Sequence, residues 1–285
     1  MSERPKNEGP PPEDWAGEMG ERWLANMDRF EGMLAPIGQA LLSHCAFRPG
    51  ESVVDIGCGA GRTSLDIARQ VVPSGRVLGI DISSHLVAAA GRRAQAEHLD
   101  NVSFRCDDAT TVSIEGPPFD RLFSRFGIMF FEDPWAAFAN LHTLLRSGGR
   151  VDFSAWAPAS DNPWIVEVMG VVGKYVELPE RKPRTPGPFA LDDPTYIREL
   201  LERGGFSATR IATWEGKQPV GGPGATPEQA VDFVFDAMSF GKVLDDKGEA
   251  VRAKVKTDLA ALFARHRGAA GIQMPGKAFF VTAVA

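Results

Sequence analysis

From Ser52 to Trp156 the chain alternates two kinds of segment, and this alternation limits the fold more than any other feature of the sequence. "SVVDIG" is a short apolar run rich in β-branched residues, and "RTSLDIARQV" behind it has helical periodicity. "GRVLGID", "NVSFRCDDA", "PFDRLFSRFG" and "GRVDFSAW" repeat the strand pattern. Between them, "SSHLVAAAGRRAQAEHL" opens with serines suited to an N-cap, and "PWAAFANLHTLLRSGG" places Pro134 in its first turn and a glycine pair at its end. Strands that alternate with helices form right-handed βαβ units and a parallel sheet covered on both faces.

The first strand runs into Gly57, Gly59 and Gly61 within "DIGCGAGR". A glycine-rich turn there lets a ligand lie against bare backbone, and the next helix offers free N–H groups at its start. The dinucleotide fingerprint needs G-x-G-x-x-G, but Arg62 stands at its third-glycine position, which disfavours an NAD-dependent oxidoreductase. A carboxylate, Asp81, closes the second strand, where it can accept hydrogen bonds from ribose hydroxyls or cap the following helix.

These residues resemble motif I of the class I S-adenosylmethionine (SAM)-dependent methyltransferases, an apolar run followed by D-x-G-x-G-x-G; the match is Asp55, Gly57, Gly59 and Gly61. The nearest groups are the ubiquinone- and menaquinone-biosynthesis-type enzymes and their relatives in natural-product pathways. The resemblance implies a Rossmann-like, mostly parallel sheet of seven strands, the last antiparallel, with helices on both faces. A helical N-terminal cap and inserts after strands five and six would complete it. It implies SAM as cofactor, with donor contacts from Asp55, Gly57, Cys58, Gly59, Gly61, Asp81 and Ile82, the last flat against the adenine. An acid after the third strand would bond the adenine amino group; Asp108, followed by Ala109, fits that place, with Asp107 its competitor. Ser124 and Arg125, leaving the fourth strand, would meet the methionyl end, and Trp23 from the cap would close the site.

The expected organisation is a disordered tail over 1–14, a helical cap over 15–48 with Pro36 separating two helices, and a donor-binding core over 49–157. A proline-rich lid over 158–194 and a C-terminal part over 195–285, with its own helical insert, complete the chain. A net charge of −6 argues against nucleic-acid and anionic-membrane partners. No run reaches roughly 18 apolar residues, as a membrane-spanning helix needs. Cys45, Cys58 and Cys106 form no C-x-x-C pair, so no metal site is expected, and the three read as reduced thiols of a cytoplasmic protein.

Aromatic residues outside the expected sheet, among them Trp15, Trp23, Phe30, Trp156, Trp164 and Phe189, point to a covered, apolar acceptor cavity and a small-molecule acceptor. A peptide or protein N-methyltransferase and a SAM-binding module without catalysis are the rival readings, and self-association into a homodimer is left open. Methyl transfer needs a base only when the nucleophile must lose a proton. No side chain stands out: Asp133 before Pro134 looks like an N-cap, His142 lies inside a helix, and Tyr196 belongs to the region around the lid. Glu132, His85, His266 and Tyr175 are further acid–base or hydrogen-bonding residues with ordinary structural explanations.

Overall fold

The computed structural model describes residues 13–178, 182–238 and 242–285. Five strands form the parallel part of the sheet: β1 (Ser52–Ile56), β2 (Arg76–Asp81), β3 (Val102–Cys106), β4 (Phe119–Arg125) and β5 (Leu145–Trp156). β6 (Ser207–Pro219), β7 (Arg267–Gly268) and β8 (Gly271–Val284) complete it. The order is β3-β2-β1-β4-β5-β8-β6, with β8 antiparallel to both neighbours, and the short β7 folds back on β8. There are thus eight strands among the described residues rather than seven. The extra one is a two-residue arm whose turn reverses at Gly271, a position with φ of 92°.

β6 and β8 also run past the end of β5. Their pairing continues from Glu215↔Lys277 to Pro219↔Gln273, past Trp156↔Ala278, where β5 ends. Pro275 lies in this overhang, where β8 has lost its β5 neighbour and a strand tolerates proline. The hairpin is pinned to β5 by Asn162, which is fully buried. Its amide donates to the carbonyls of Ala157 and Pro158, and its oxygen accepts from Trp164 Nε1 and the Lys277 N–H.

The N-terminal cap is α1 (Glu18–Ala25) and α2 (Met27–Cys45). The break falls at Asn26, and Pro36 lies inside α2 instead of dividing it. Met33, Leu34, Ile37, Leu41, Leu42 and Cys45 of α2 are buried. At about 1.5–3 kcal/mol for each large side chain, their burial outweighs the ~3 kcal/mol that an interior proline costs a helix. Of the tail expected over 1–14, residues 1–12 lie outside the described residues, while Asp14 already belongs to the fold, its Oδ1 accepting the Gly17 N–H at 3.0 Å.

α3 (Arg62–Val71) and α4 (Ser84–Ala96) come after β1 and β2, and α5 (Pro134–Thr143) comes after β4. α5 stops before the glycine pair, and β5 takes up the chain from Leu145. α6 (Pro163–Val172), α7 (Pro194–Arg203), α8 (Pro227–Asp232) and α9 (Glu249–Arg265) complete the helices, and a π-helical turn, Phe233–Ala237, continues α8. Of the segment expected as a lid, residues 179–181 lie outside the described residues, and α6 occupies its first part. Phe119, Phe123, Phe138 and Phe153 are fully buried among the core side chains between sheet and helices. Under the end of α2, Arg121 makes a buried polar node: it donates to Asp152 at 2.7 Å and to the Cys45 carbonyl at 2.9 Å, and its guanidinium lies over Phe47. Arg150 and the Thr282 hydroxyl satisfy the other Asp152 oxygen.

Candidate active site at the glycine turn

Each glycine after β1 has a different reason to be glycine. All three have positive φ: 67° at Gly57, 55° at Gly59 and 82° at Gly61. A Cβ on Gly57 would sit 2.7 Å from Gly127 Cα, and one on Gly61 would sit 2.8 Å from Ala90 Cβ and 2.9 Å from Phe104. Those two positions are closed by protein. At Gly59 the nearest atom is Trp23 Nε1, at 4.0 Å, so this glycine alone of the three turns a bare backbone toward open space.

Asp81, half-buried at the end of β2, braces the turn. Its Oδ2 accepts the Gly59 N–H at 2.8 Å and its Oδ1 the Ser83 N–H at 2.9 Å, while burial raises its pKa. Each oxygen keeps a second lone pair for a hydroxyl donor. Ser83, not Asp81, caps α4, with its Oγ accepting from the Leu86 N–H. Ile82 beside it is 46% exposed, which leaves an apolar face free at the strand end. Asp107 lies just beyond β3 and is tied to Arg105, whereas Asp108 is exposed and turns one oxygen to the N–H and hydroxyl of Thr110. Ala109 is buried, and its carbonyl accepts from Asn140.

Other residues expected at the donor do not present side chains to it. Asp55 is fully buried: Oδ2 accepts the hydroxyls of Thr63 at 2.9 Å and Ser64 at 2.6 Å, so it holds the first turn of α3. Its Oδ1 has no partner among the described residues, and burial pushes its carboxyl pKa up to about 6. Cys58 directs its sulfur at β2, where a Cβ on Gly79 would lie 2.9 Å away, and burial raises its thiol pKa well above the usual value. Ser124 is fully buried, with its hydroxyl donating to the Ile56 carbonyl at 2.7 Å, which ties β4 to β1. Arg125 leaves β4 on the face that also carries Arg121 and runs beneath α2, 3.1 Å from where a Cβ on Gly38 would sit. Strand alternation puts residues 121 and 125 on one face, and that face belongs to α2.

Phe126 leaves β4 where the sequence places the methionyl end of the donor, whereas Gly127 after it is not expected at the site. Phe126 has φ of 63°, a strained value for an aromatic residue, and stacks on Trp156 at 4.4 Å. Gly127 then packs on the glycine turn, where an added Cβ would meet the Ile56 carbonyl at 2.7 Å and Gly57 Cα at 2.8 Å. The signal in the sequence was a glycine directly after a strand end. Above the turn, α1 lies close to α4: a Cβ on Gly20 would be 2.6 Å from Ser83 Oγ. Trp15 stands between Trp23 and Phe130, and Trp23 stacks on Phe30, which meets Phe233 edge-on. A second row runs from Phe126 through Trp156 and Trp164 to Phe189. The Gly187 N–H donates to the Met129 carbonyl, which holds the stretch before α7 against the end of β4.

The acid–base candidates are engaged elsewhere. Asp133 caps α5, its Oδ1 accepting from the Ala136 N–H at 3.0 Å. His142 packs edge-on against Phe206 and over Gly205. Tyr196 is buried between Trp135 and the Arg184 guanidinium. His266 bonds Glu167, Tyr175 donates to Asp258, His85 faces Glu21, and Glu132 is exposed.

A family described as "Methyltransferase domain" matches residues 53–149, the segment from β1 to the start of β5. Nocamycin O-methyltransferase of Saccharothrix syringae is 30% identical over 202 residues, covering 70% of this chain and 65% of its own length. Aklanonic acid methyltransferase of Streptomyces sp. (strain C5) is 32% identical over 120 residues, covering 42% of this chain and 54% of its own. The chain thus spans less than two thirds of these curated relatives. Among solved structures, phosphoethanolamine N-methyltransferase 2 of Haemonchus contortus, in complex with S-adenosyl-L-methionine, superposes with a TM-score of 0.58 at 16% identity. That superposition covers 95% of this chain and 60% of the other. The [4+2]-cyclase SpnF superposes with a TM-score of 0.58 at 17% identity, covering 98% of both chains. Motif, strand order and relatives agree: residues 53–149 match the methyltransferase domain family, and the chain's fold is that of solved SAM-dependent methyltransferases.

Proposed function

We propose that the protein transfers a methyl group from SAM to a small, largely apolar acceptor. One observation carries the donor half of this reading: Gly59 presents bare backbone to open space between the Asp81 carboxylate and Trp23. The residues fit the donor. Gly59 lets its tail approach, Asp81 keeps lone pairs for ribose hydroxyls, and Ile82 offers an apolar face for adenine. Asp108 is exposed beside them, within the same row of strand ends, and suits an amino group.

When bound, SAM supplies a methyl group on a positively charged sulfur. The chain's part is positioning. Holding a nucleophile about 3 Å from that carbon and in line with the leaving sulfur removes most of the entropic barrier. The rows of aromatic rings at Trp15–Trp23–Phe30 and Phe126–Trp156–Trp164 keep water from the same place. Asp133, His142 and Tyr196 are each committed to a cap or to packing, which favours catalysis without a dedicated base. The cap over 15–48 and the stretch before α7 cover the acceptor in this reading. The names of the nocamycin and aklanonic acid enzymes support a small-molecule acceptor.

Calorimetry with S-adenosylhomocysteine and NADH, and then isotope-labelled SAM with pools of small phenols, quinols and peptides, tests the reading. Binding of S-adenosylhomocysteine and label in a small apolar product are expected. Label in peptides alone would replace the acceptor, binding without any label would leave a non-catalytic module, and NADH binding in place of S-adenosylhomocysteine would overturn the assignment.

A further inference from the structure

A groove of about 280 Å³ opens between α2 and α3. Gly32, Ala35 and Gly38 form its α2 wall, and their small side chains leave the space between the two helices unfilled. Its floor is the Arg125 guanidinium. Two other arginines line it, but each already has a carboxylate: Arg93 is held by both oxygens of Glu31 at 2.5 and 2.8 Å, and Arg62 by Asp66 at 3.1 Å. Arg125 has neither an ion pair nor a hydrogen bond among the described residues, although it carries five N–H donors in a planar fork. Burial lowers its pKa despite Glu31, Asp55 and Asp66 nearby, so those acids do not make up for the water it has lost.

We propose that this groove binds a small oxyanion, a carboxylate or phosphate group, held in two-point fashion by Arg125. The class follows from the chemistry: a planar guanidinium with its donors free matches two oxygens of one anionic group. The acids on the walls are neutralised by Arg93, Arg62 and Arg69, so they oppose an incoming anion weakly, and Asp28 lies exposed to solvent. The volume admits several water-sized groups and hence a small metabolite, at about 30 Å³ for each water. The site is separate from the glycine turn, yet Arg125 precedes the strained Phe126 and the Gly127 that packs on that turn. Thr63, also in the groove, hydrogen-bonds Asp55. An occupant therefore stiffens the support of the turn from behind.

Calorimetric and thermal-unfolding titrations of the full chain with inorganic phosphate and with acetate, against sodium chloride at matched ionic strength, test the inference without any methyl donor present. Saturable binding in the millimolar range or tighter is expected for at least one probe. It should weaken at least tenfold in Arg125→Gln. It should also be lost in Ala35→Phe, which fills the groove from the opposite wall and leaves the arginine in place. Saturation by phosphate alone assigns a phosphate-bearing ligand, and saturation by acetate a carboxylate. A shift reproduced by chloride, no saturable binding, or binding unchanged in both variants would overturn the site.

Discussion

Replacing Asp55 by asparagine tests how the turn is supported. The side chain is fully buried, both hydroxyls it receives fall on Oδ2, and Oδ1 has no partner among the described residues. Burial raises its pKa from 3.8 to about 6, partly offset by the Ser64 and Thr63 hydrogen bonds. A raised value means that the folded protein keeps a proton where the unfolded chain has lost it. Stability from this group is therefore complete below pH 3.8, falls as pH rises through the window, and is gone above about pH 6. A window of about 2 pKa units, at 1.36 kcal/mol for each, amounts to about 3 kcal/mol. Asparagine has the same shape, accepts the same two hydroxyls and does not titrate. The stability of Asp55→Asn minus that of wild type should thus rise by about 2.5 kcal/mol between pH 4 and pH 7.5. A constant cost of placing an NH₂ at the Oδ1 position cancels from that rise. Urea unfolding by tryptophan fluorescence at five pH values, with m unchanged, gives the difference directly. A difference flat to within about 0.5 kcal/mol, or one that falls with pH, would refute the buried, under-compensated carboxyl.

Gly59→Ala should cost only about 1–2 kcal/mol of stability, the penalty of a left-handed alanine, yet weaken S-adenosylhomocysteine binding more than tenfold by calorimetry, because its methyl enters the open space. Gly61→Ala should reverse the emphasis and lose more stability, since its methyl meets Ala90 and Phe104. Asp152→Ala should lower unfolding free energy by about 3–5 kcal/mol, because it leaves Arg121 charged and buried; Thr282→Val should cost less than half as much in the same denaturation assay. With the acceptor in hand, Asp133→Asn, His142→Gln and Tyr196→Phe should each lower kcat by less than the ~10²–10⁴-fold expected of a general base, and a single variant in that range with unchanged donor affinity would identify one.

The glycine turn and the strand ends around it were legible because their determinants are local. Asp55, the three glycines and Asp81 lie on two consecutive strand ends, and hydrophobic periodicity alone fixes where those ends fall. The direction of each side chain was less legible. Asp55, Cys58 and Ser124 lie in or beside the turn but point into the protein, since alternate positions of a strand serve opposite faces and sequence spacing does not show which face is the mouth. Pro36 predicts a break on intrinsic propensity, but the buried apolar face of α2 holds the helix together across it. The overhang of β6 and β8 was invisible for the opposite reason: "GKQP" and "GIQMPG" have poor strand propensity, and only pairing between distant segments makes them extend.

This difference bears on how the two halves of the site are divided. The parallel strands β1, β2 and β4 position the glycine turn, Asp81 and Gly127 through backbone contacts that few sequences can satisfy, as the close approach of Gly57 to Gly127 shows. The aromatic rows beside them draw on α1, the stretch before α7 and the π-helical turn, all outside the βαβ core. Their contacts are stacked rings, Trp23 on Phe30 and Trp156 on Phe126, which tolerate changes of shape better than a glycine turn does. The matched domain ends at residue 149, just before these walls begin on the C-terminal side. Under the proposed function, a turn with close backbone packing would keep the donor geometry fixed, while adaptable aromatic walls would let acceptor preference change by repacking side chains.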